Sequence, residues 1–485
     1  MTETPFDLVI RNGSVVTASD LFKADIGVRD GVIDTIGRAL REGRRDIDAT
    51  GCFVLPGGVD THCHIEQMTA AGVKNADTFE SATRSAAHGG TTTVIPFAAQ
   101  QRGEDLWQTV RNYHELANRG ALVDYAFHMI LTNPDSKTLE QDLPRLIAEG
   151  HSSIKLFMTY DRLFVDDERI LDIMMVARRF GAMICVHAEN HGMIAWSAKK
   201  LLNAGLAAPK YQADAHSRLA EAEAITRLIA LSQLVDQPVT IFHVSSAEGL
   251  AVVREARARG VKIFAETCPQ YLFLTAADMD HPGQEGAKWM CSPPLRSTAD
   301  QAALWEGLRQ GTLQMVSSDH APFRFDSSGK LSAGENASFK QMANGLPGLE
   351  SRMLLMVDKA LRGEELDLCK LVDVTATTPA RTYNLYPRKG TIAIGSDADL
   401  VVWNPDHPKL LTDEDVHDRT GYTPYAKQTV CATPDIVTVR GEIVVEYGQS
   451  RAQPGFGLFL ARSGGPAAAP SGTSPYDITP LIGGL

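Results

Sequence analysis

The stretch Gly57-Gly-Val-Asp-Thr-His-Cys-His64 places two histidines, one residue apart, directly after a short apolar segment. Residues two apart on an extended segment point the same way, so both imidazoles can meet one metal ion. The pattern His-x-His alone is equally typical of two surface or turn histidines. The segments on either side of this stretch therefore decide how it is interpreted.

Downstream of this stretch, short apolar runs alternate with segments that carry helical i, i+3, i+4 spacing. The eight strand candidates are residues 57–60, 92–97, 125–131, 153–157, 182–187, 238–244, 261–267 and 313–319. The helical patterns between them lie near residues 77–88, 103–118, 137–148, 166–179, 214–235, 246–259 and 299–309. Eight parallel strands with intervening helices fit a (β/α)8 barrel with insertions better than an open sheet.

Both ends of the chain have a different sequence pattern, in which short apolar runs are separated by turn pairs such as Asn12-Gly13. These runs predict an antiparallel β module. Upstream they are residues 6–11, 13–17, 25–28, 32–36 and 52–55, and downstream they are residues 390–395, 398–403, 436–440 and 442–446. One β domain built from both ends of the chain is the simplest arrangement.

The predicted fold class is α/β, with a TIM-type (β/α)8 barrel over residues 56–387. The second, small β-sandwich domain is formed by residues 1–55 and 388–455. Residues 456–485 are rich in Gly, Pro, Ala and Ser from Ser463 onward. That composition predicts an extended tail, which is a candidate for a subunit interface.

The composition disfavours several classes of protein. The 485 residues include 47 Lys and Arg against 59 Asp and Glu, a formal net charge of −12, so the basic field that nucleic acids and anionic membranes attract is missing. The seven cysteines form no CxxC pair, which disfavours a disulfide framework and a zinc–thiolate site. No basic segment followed by an apolar one begins the sequence, and no run of about 18 apolar residues occurs. We expect a soluble, cytoplasmic protein with no nucleic-acid or membrane partner.

Three further metal-competent side chains recur at the ends of predicted strands, namely His187, His243 and Asp319. The carboxyl ends of barrel strands form one face, where the loops of several strands converge. Each histidine alone could be a core residue bonded to the backbone. Together with His62 and His64, however, they predict a metal site on one rim.

Lys155 lies within the apolar strand candidate at residues 153–157. A buried ammonium group is costly unless it is paired or neutralised. Lys155 could form a salt bridge to a barrel acid, or its depressed pKa could let the amine react with CO2 to give a carbamate that bridges two metals. Four histidines, a carbamate and one aspartate would suit two divalent ions about 3.5–4 Å apart. Zinc suits imidazole-rich ligation, with manganese, cobalt and iron as alternatives.

The chain resembles the amidohydrolase superfamily, specifically its cyclic-amidase branch of dihydropyrimidinases and hydantoinases. The resemblance covers essentially the whole chain. The motifs that carry it are Gly57-Gly-Val-Asp-Thr-His-Cys-His, Asp77-Thr-Phe-Glu, Gly89-Gly-Thr-Thr-Thr, Ser153-Ile-Lys-Leu-Phe-Met-Thr-Tyr, Val186-His-Ala-Glu-Asn, Phe242-His-Val-Ser, Ala265-Glu-Thr-Cys-Pro-Gln-Tyr-Leu, Cys291-Ser-Pro-Pro-Leu-Arg, Ser318-Asp-His-Ala-Pro-Phe and Asn344-Gly-Leu-Pro-Gly.

The resemblance implies a binuclear centre, preferably of two Zn²⁺ ions, bridged by a carboxylated Lys155. His62, His64 and Asp319 would surround one metal ion, and His187 and His243 the other. It further implies a homotetramer, or a homodimer, whose C-terminal segments cross between subunits. Such an enzyme would act on a small cyclic amide or ureide in pyrimidine degradation or a related route.

The resemblance also implies roles in catalysis. A hydroxide that bridges the metals would attack the ring carbonyl, and Tyr160 would donate a hydrogen bond to the carbonyl oxygen. Ser292 and Asn344 would hold the ring amide through backbone groups. Asp319 would take the proton of the hydroxide and return it to the leaving nitrogen. The expected reaction opens a dihydropyrimidine or a 5-substituted hydantoin to an N-carbamoyl amino acid.

Two departures from the family pattern concern the first histidine loop. Cys63 stands where the family usually has threonine, and we expect it to pack rather than to bind metal. The loop over residues 65–75 lacks the Asp-Met-Pro-Phe-Gly-Gly run of familiar hydantoinases and is one residue longer. Because that loop helps shape the pocket, substrate preference is the property that transfers least.

The sequence is also compatible with three other functions. One is a cyclic imide hydrolase, and another is an allantoinase-like or dihydroorotase-like relative, the latter of which needs a cationic side chain aimed into the site. A third, from a different class, is a catalytically silent scaffold that keeps the fold and loses metal ligands. All six expected ligand positions are filled in this sequence, which favours an enzyme.

Overall fold

The N-terminal segment forms a β-sheet, as its apolar runs and turn pairs predict. In the computed structural model, which describes residues 5–69, 72–472 and 476–482, the strands are β1 (Phe6–Val16), β2 (Leu21–Arg29), β3 (Val32–Gly37), β4 (Gly43–Asp48) and β5 (Phe53–Pro56). The two runs predicted at residues 6–17 merge into β1. β1 pairs antiparallel with β2 but parallel with β4 and β5, so the sheet is mixed rather than purely antiparallel. β4 escapes prediction because Ile47 is its only apolar residue.

The barrel contains every strand that the alternating pattern predicts. Its strands are β6 (Gly58–Cys63), β7 (Thr91–Ala99), β8 (Asp124–Tyr125), β9 (His128–Ile130), β10 (Ser153–Phe157), β11 (Met183–His187), β12 (Val239–Ile241), β13 (Ile263–Thr267) and β14 (Met315–Val316). Parallel neighbours follow in the order β6, β7, β9, β10, β11, β12, β13 and β14, while β8 pairs with β7. A bridge between Cys63 and His320 brings the two ends of this sheet together, so the barrel is nearly closed.

Helices surround the barrel strands. They are α1 (Phe79–His88), α2 (Leu106–Gly120), α3 (Leu143–Ala148), α4 (Asp167–Phe180), α5 (His191–Asn203), α6 (Gln212–Ala215), α7 (Arg218–Val235), α8 (Ala247–Ala258), α9 (Pro269–Phe273), α10 (Thr298–Arg309), α11 (Ser351–Leu361), α12 (Leu368–Val372), α13 (Thr378–Thr382) and α14 (Thr479–Ile482). All seven predicted helical regions contain a helix. The longest two unpredicted helices are α5, which buries only Ile194 and Ala198, and α11, which is buried on nearly all sides.

The C-terminal strands complete the sheet that the N-terminal segment begins. They are β15 (Leu400–Asn404), β16 (Lys409–Leu410), β17 (Thr429–Val430), β18 (Thr433–Val439), β19 (Glu442–Glu446) and β20 (Gln449–Ser450). β15 pairs antiparallel with β5, which confirms that both ends of the chain build one β domain. The prediction of a strand at residues 390–395 is wrong. Ile392 instead reaches the hydrophobic core of the β domain from a loop.

A buried charge cluster joins the barrel to the β domain. The ammonium group of Lys389 donates to Asp124 at 2.7 Å, at the start of β8, and to Asp399 at 2.8 Å, just before β15. Asp397 lies 3.0 Å from the same nitrogen. Such a cluster is strongly destabilised when one partner is removed, because a buried charge is then left uncompensated.

The described part of the C-terminal tail lies against its own barrel. The guanidinium group of Arg462, which is 2% exposed, donates to the backbone oxygen of Phe127 at 2.5 Å and to the hydroxyl of Ser153 at 2.9 Å. Lys262 donates to the backbone oxygens of Pro466 and Ala469. These hydrogen bonds anchor the described part of the tail to the barrel. Among the residues that the structure describes, no helix combines the length and apolar character needed to span a membrane.

Candidate metal centre

The carboxyl ends of the barrel strands open into a cavity of about 660 Å³. Every site residue that the sequence and its resemblance suggest lines this cavity. They are His62, His64, Lys155, Tyr160, His187, His243, Ser292, Asp319 and Asn344. The structure therefore brings together residues that are spread over more than half of the chain.

Asp319 lies between the two histidines of the first motif. Its Oδ1 is 3.1 Å from Nε2 of His62 and 3.4 Å from Nε2 of His64. One ligand atom from each residue falls within 4.8 Å of the others, the spacing of a group that can hold a metal ion. Burial disfavours the charged carboxylate, but the two facing imidazoles outweigh it and hold the pKa of Asp319 well below its usual value.

His187 and His243 form the second half of the rim. Their ring centroids are 4.4 Å apart, and the His243 ring is 5.2 Å from that of His62. His187 donates through Nε2 to the carboxylate of Glu189 at 2.7 Å, which leaves its Nδ1 as the metal-competent nitrogen. Nδ1 of His243 is buried without a hydrogen-bond partner. The two pairs of histidines are therefore close enough to share one cluster.

Lys155 is a buried lysine of the cavity whose ammonium group has no hydrogen-bond partner. Its side chain is fully buried, and its Nζ makes no hydrogen bond and lies 4.1 Å from the centroid of the Phe242 ring. Burial lowers the pKa of Lys155 to about 7, against the opposing effect of Asp319 and Glu266. The amine also acts electrostatically on His187 and His243. Lys155 thus interacts electrostatically with both sets of ligands. Its amine loses its proton near neutral pH.

Three site residues have a left-handed backbone. The φ angles are 72° at Tyr160, 42° at His243 and 46° at Asp319. The sequence predicts His243 and Asp319 as the last residues of their strands, but β12 ends at Ile241 and β14 at Val316. The strands stop early and the chain turns, which aims both side chains into the cavity. Non-glycine residues in this region cost about 1–3 kcal/mol each and cluster at functional sites.

Buried acids orient two of the histidines. Glu266 Oε1 lies 2.5 Å from Nδ1 of His62, which leaves Nε2 of His62 for the cluster. Glu189, already bonded to His187, also lies 3.0 Å from Nδ1 of His216. Carboxylate partners of this kind fix the tautomer and the ring plane of metal-binding histidines. The sequence did not indicate that Glu189 and Glu266 orient these histidines, although both acids lie inside the family motifs.

Amide and hydroxyl groups also line the cavity. The hydroxyl of Tyr160 is hydrogen-bonded with the side chain of Ser292. Gln212, which the sequence did not single out, donates through Nε2 to the Ser292 hydroxyl and to Oδ1 of Asn344, both at 3.1 Å. These side chains are therefore connected by hydrogen bonds and line the same cavity as the histidines.

The first histidine loop also reaches the cavity. Gln67, Thr69, Val73 and Asn75 line it, and Oε1 of Gln67 lies 2.6 Å from Nδ1 of His64; residues 70 and 71 lie outside the described residues. Cys63 is fully buried in the hydrophobic core and does not line the cavity. It thus packs, as its place between two inward-facing histidines suggests.

The donor set fits two divalent cations. Four imidazoles and one carboxylate converge, and the buried amine of Lys155 has no partner of its own. Imidazole and carboxylate are ligands that zinc and other first-row divalent metals share. A buried, unpaired lysine is otherwise unfavourable at this position, so a group that engages it accounts for its burial.

Comparisons with known proteins agree with this geometry. Residues 53–444 match the Amidohydrolase family, and residues 1–50 match the N-terminal domain of the urease alpha-subunit. The chain is 38% identical to a D-hydantoinase of Ralstonia pickettii over 457 residues, which cover 94% of this chain and 99% of that protein. It is 40% identical to a D-hydantoinase of Streptomyces coelicolor over 463 residues, with coverage of 94% and 98%. The solved structure of dihydropyrimidinase from Brevibacillus agri matches with a TM-score of 0.91 at 37% identity, covering 94% of this chain and 99% of that one.

Proposed function

Because the chain belongs to the amidohydrolase family, in the group of the hydantoinases and dihydropyrimidinases, we propose that it hydrolyses one ring C–N bond of a dihydropyrimidine or a 5-substituted hydantoin. The protein is a hydrolase that acts on cyclic amides. The observation that carries the finer proposal is the convergence of Lys155, four histidines, Asp319 and Tyr160 on one cavity. The product would be an N-carbamoyl amino acid.

The family implies a binuclear divalent metal centre. His62, His64 and Asp319 would hold one ion and His187 and His243 the other, and Lys155, once carboxylated by CO2, would supply a ligand shared by both. Zn²⁺ is the preferred metal because imidazole dominates the ligand set. When bound, the two cations supply an acidified water as nucleophile and a positive charge that polarises the substrate carbonyl.

Asp319 moves the proton in this proposal. Its carboxylate is ionised, since the facing imidazoles of His62 and His64 hold its pKa low against the effect of burial. It accepts the proton of the attacking water and then returns it to the ring nitrogen as the C–N bond breaks, acting first as general base and then as general acid. Its Oδ1 lies within 3.4 Å of Nε2 of both His62 and His64, beside the proposed metal ligands.

Tyr160 stabilises the oxygen of the attacked carbonyl. Loss of water around its hydroxyl raises the pKa of Tyr160 well above the usual value, so the phenol stays protonated and donates a hydrogen bond. Its ring centroid is 5.1 Å from that of His187, which places the donor beside the cluster. Preorganised donors aimed at a developing oxyanion are among the largest contributions to catalysis.

The Tyr160→Phe variant tests this role. We expect kcat to fall by about 10²-fold, the lower end of what loss of one oxyanion donor costs, while metal content and folding stay unchanged because Tyr160 is not a ligand. Metal analysis and steady-state kinetics on the same preparation check the prediction. Unchanged turnover would show that Tyr160 has no part in stabilising the carbonyl oxygen.

Ser292 and Asn344 hold the ring in this proposal. Ser292 is bonded to Tyr160, and Gln212 joins both residues, so they face the same substrate. Their backbone groups would contact the ring amide that is not cleaved. This contact would bind the ring equally before and during the reaction, so it would contribute to substrate affinity.

A panel of rings tests the proposed function. Purified protein is incubated with dihydrouracil, 5-substituted hydantoins, succinimide, phthalimide and allantoin, before and after metal removal and replacement. We expect ring opening of dihydrouracil or a hydantoin that disappears with the metal and returns with it. Preference for an imide or allantoin would select one of the alternative activities, and ring opening of none, at full metal content, would support a silent scaffold.

Three further properties complete the proposal. A homotetramer or homodimer is supported by the resemblance to dihydropyrimidinases and hydantoinases. A cytoplasmic location is consistent with the cysteines, all seven of which are free. We also propose that residues 56–387 form the barrel, that residues 1–55 and 388–455 form the β domain, and that residues 456–485 form a tail. The pairing of β5 with β15 supports this division, because it joins the two ends of the chain.

A further inference from the structure

Two segments that are far apart in the chain form the substrate wall of the cavity. One is residues 290–292, which carries Ser292, and the other is residues 343–345, which carries Asn344. The only backbone hydrogen bond between them among the described residues runs from the N–H of Gly345 to the oxygen of Met290, at 3.0 Å. Neither segment is part of a strand or helix. Their spacing therefore depends on other groups.

Gln212 ties these segments together from one side. Its Nε2 lies 2.8 Å from the backbone oxygen of Cys291 and 3.1 Å from both the Ser292 hydroxyl and Oδ1 of Asn344. Gln212 is 1% exposed and lines the cavity, and its own Oε1 is buried without a partner. One side-chain amide thus spans both segments at the residues proposed to read the ring.

Lys330 ties the same segments together at the adjacent residues. Its Nζ donates to the backbone oxygen of Met290 at 3.3 Å and to that of Ala343 at 3.0 Å. Lys330 is fully buried, and among the described residues the hydrogen-bond partners of its ammonium group are these two backbone oxygens. Burial lowers the pKa of Lys330 to about 7. A buried amine with only two carbonyl partners is costly, which points to a positional role.

We propose that Gln212 and Lys330 form a clamp that sets the spacing of residues 290–292 and 343–345, and thereby determines how tightly the uncleaved amide of the substrate ring is bound. The two residues are positioning residues, because they act through Ser292 and Asn344. The inference rests on the proposed function for its substrate, but the contacts of the clamp do not depend on the metal ligands.

The clamp predicts a specific kinetic signature. A ring of fixed size needs both segments at a fixed separation, so relaxing the clamp weakens ring binding before it affects the chemistry at the metal centre. The metal ligands contact neither Gln212 nor Lys330 through any hydrogen bond among the described residues. KM should therefore rise while kcat and metal content change little.

The test uses Gln212→Met and Lys330→Met, which keep the length of each side chain and remove its donors. Each variant has a matched control outside the cavity. Gln237, also 1% exposed, donates to the backbone oxygens of Ala182 and Pro238, so Gln237→Met removes an equivalent buried amide. Lys262, which is only partly buried, also donates to two backbone oxygens, those of Pro466 and Ala469, so Lys262→Met removes the same number of lysine contacts outside the cavity.

We expect Gln212→Met and Lys330→Met each to raise KM about tenfold, the effect of about one lost hydrogen bond, with kcat within about threefold of wild type. Both controls should leave KM unchanged. A normal KM in Gln212→Met at full metal content would overturn the proposal, as would an equal rise in Gln237→Met. If Lys330→Met does not fold, Gln212→Met decides alone.

Failure of the proposed function is recognised separately. A wild-type protein that opens no ring contradicts the proposed function but not the clamp. In that case the uncleaved ring is stable in the experiment, and the dissociation constant of hydantoin is measured directly by calorimetry. A tenfold weaker affinity in Gln212→Met, relative to Gln237→Met, would support the clamp, and equal affinities would refute it.

Discussion

The Lys155→Ala variant is expected to lose bound metal and ring-opening activity together. Lys155 is buried without a hydrogen-bond partner, and it interacts electrostatically with Asp319, His187 and His243. If its carbamate bridges two ions, its removal takes a ligand from both. We expect metal affinity to fall by more than about 100-fold, because even residues that only orient ligands contribute about 10–100-fold.

Metal analysis of the purified variant, with circular dichroism as a check of folding, tests this expectation. Added formate provides a control, because alanine at position 155 within β10 leaves room for a small carboxylate. Partial return of metal and activity with formate would show that the variant lacks only the bridging carboxylate. Full metal occupancy in Lys155→Ala without any additive would refute the bridging role.

The Asp319→Asn variant is expected to lose about 10³-fold in kcat, within the range that a positioned acid–base group contributes. Asparagine keeps an oxygen near Nε2 of His62 and His64, which now lie 3.1 and 3.4 Å from Oδ1 of Asp319, but it cannot accept the proton. The loss should therefore exceed any loss of metal. The measurement is kcat per bound metal across a range of pH.

The pH profile of Asp319→Asn separates its two roles. Because neighbouring imidazoles depress the pKa of Asp319 in spite of its burial, the wild-type carboxylate is ionised throughout the neutral range and protonates only at low pH. The variant should lose whatever acidic limb that protonation causes. A variant that holds the full metal content and keeps kcat within tenfold of wild type would show that another group moves the proton.

The metal-binding histidines could be predicted because they directly follow or end apolar runs that are recognisable as strands. His62 and His64 share a strand end, and His187 directly closes β11. The predictions for His243 and Asp319 were less accurate, since the strands before them end two to three residues earlier and left-handed residues follow. Such a turn at a histidine or an aspartate has no dependable sequence signal, because glycine is the usual residue there.

The supporting residues could not be predicted from local patterns. Glu266 is 204 residues away from His62, and Gln212 is 80 residues from Ser292 and 132 from Asn344. Each of these contacts depends on the closed barrel, which brings distant loops to one face. Glu189 is the exception, because it follows His187 by two residues. A local apolar pattern can also mislead. Residues 390–395 are apolar and were expected to form a strand, but they form a loop from which Ile392 reaches the core.

The measurement that tests the central claim most directly is a metal titration of ring opening. Metal-free protein is prepared with a chelator, Zn²⁺ is added back in steps, and bound metal and the rate of hydantoin or dihydrouracil opening are followed together. The account predicts no activity without metal and a rate that rises until about two ions are bound per chain, as expected for a two-metal site. Ring opening at the full rate by metal-free protein would contradict it.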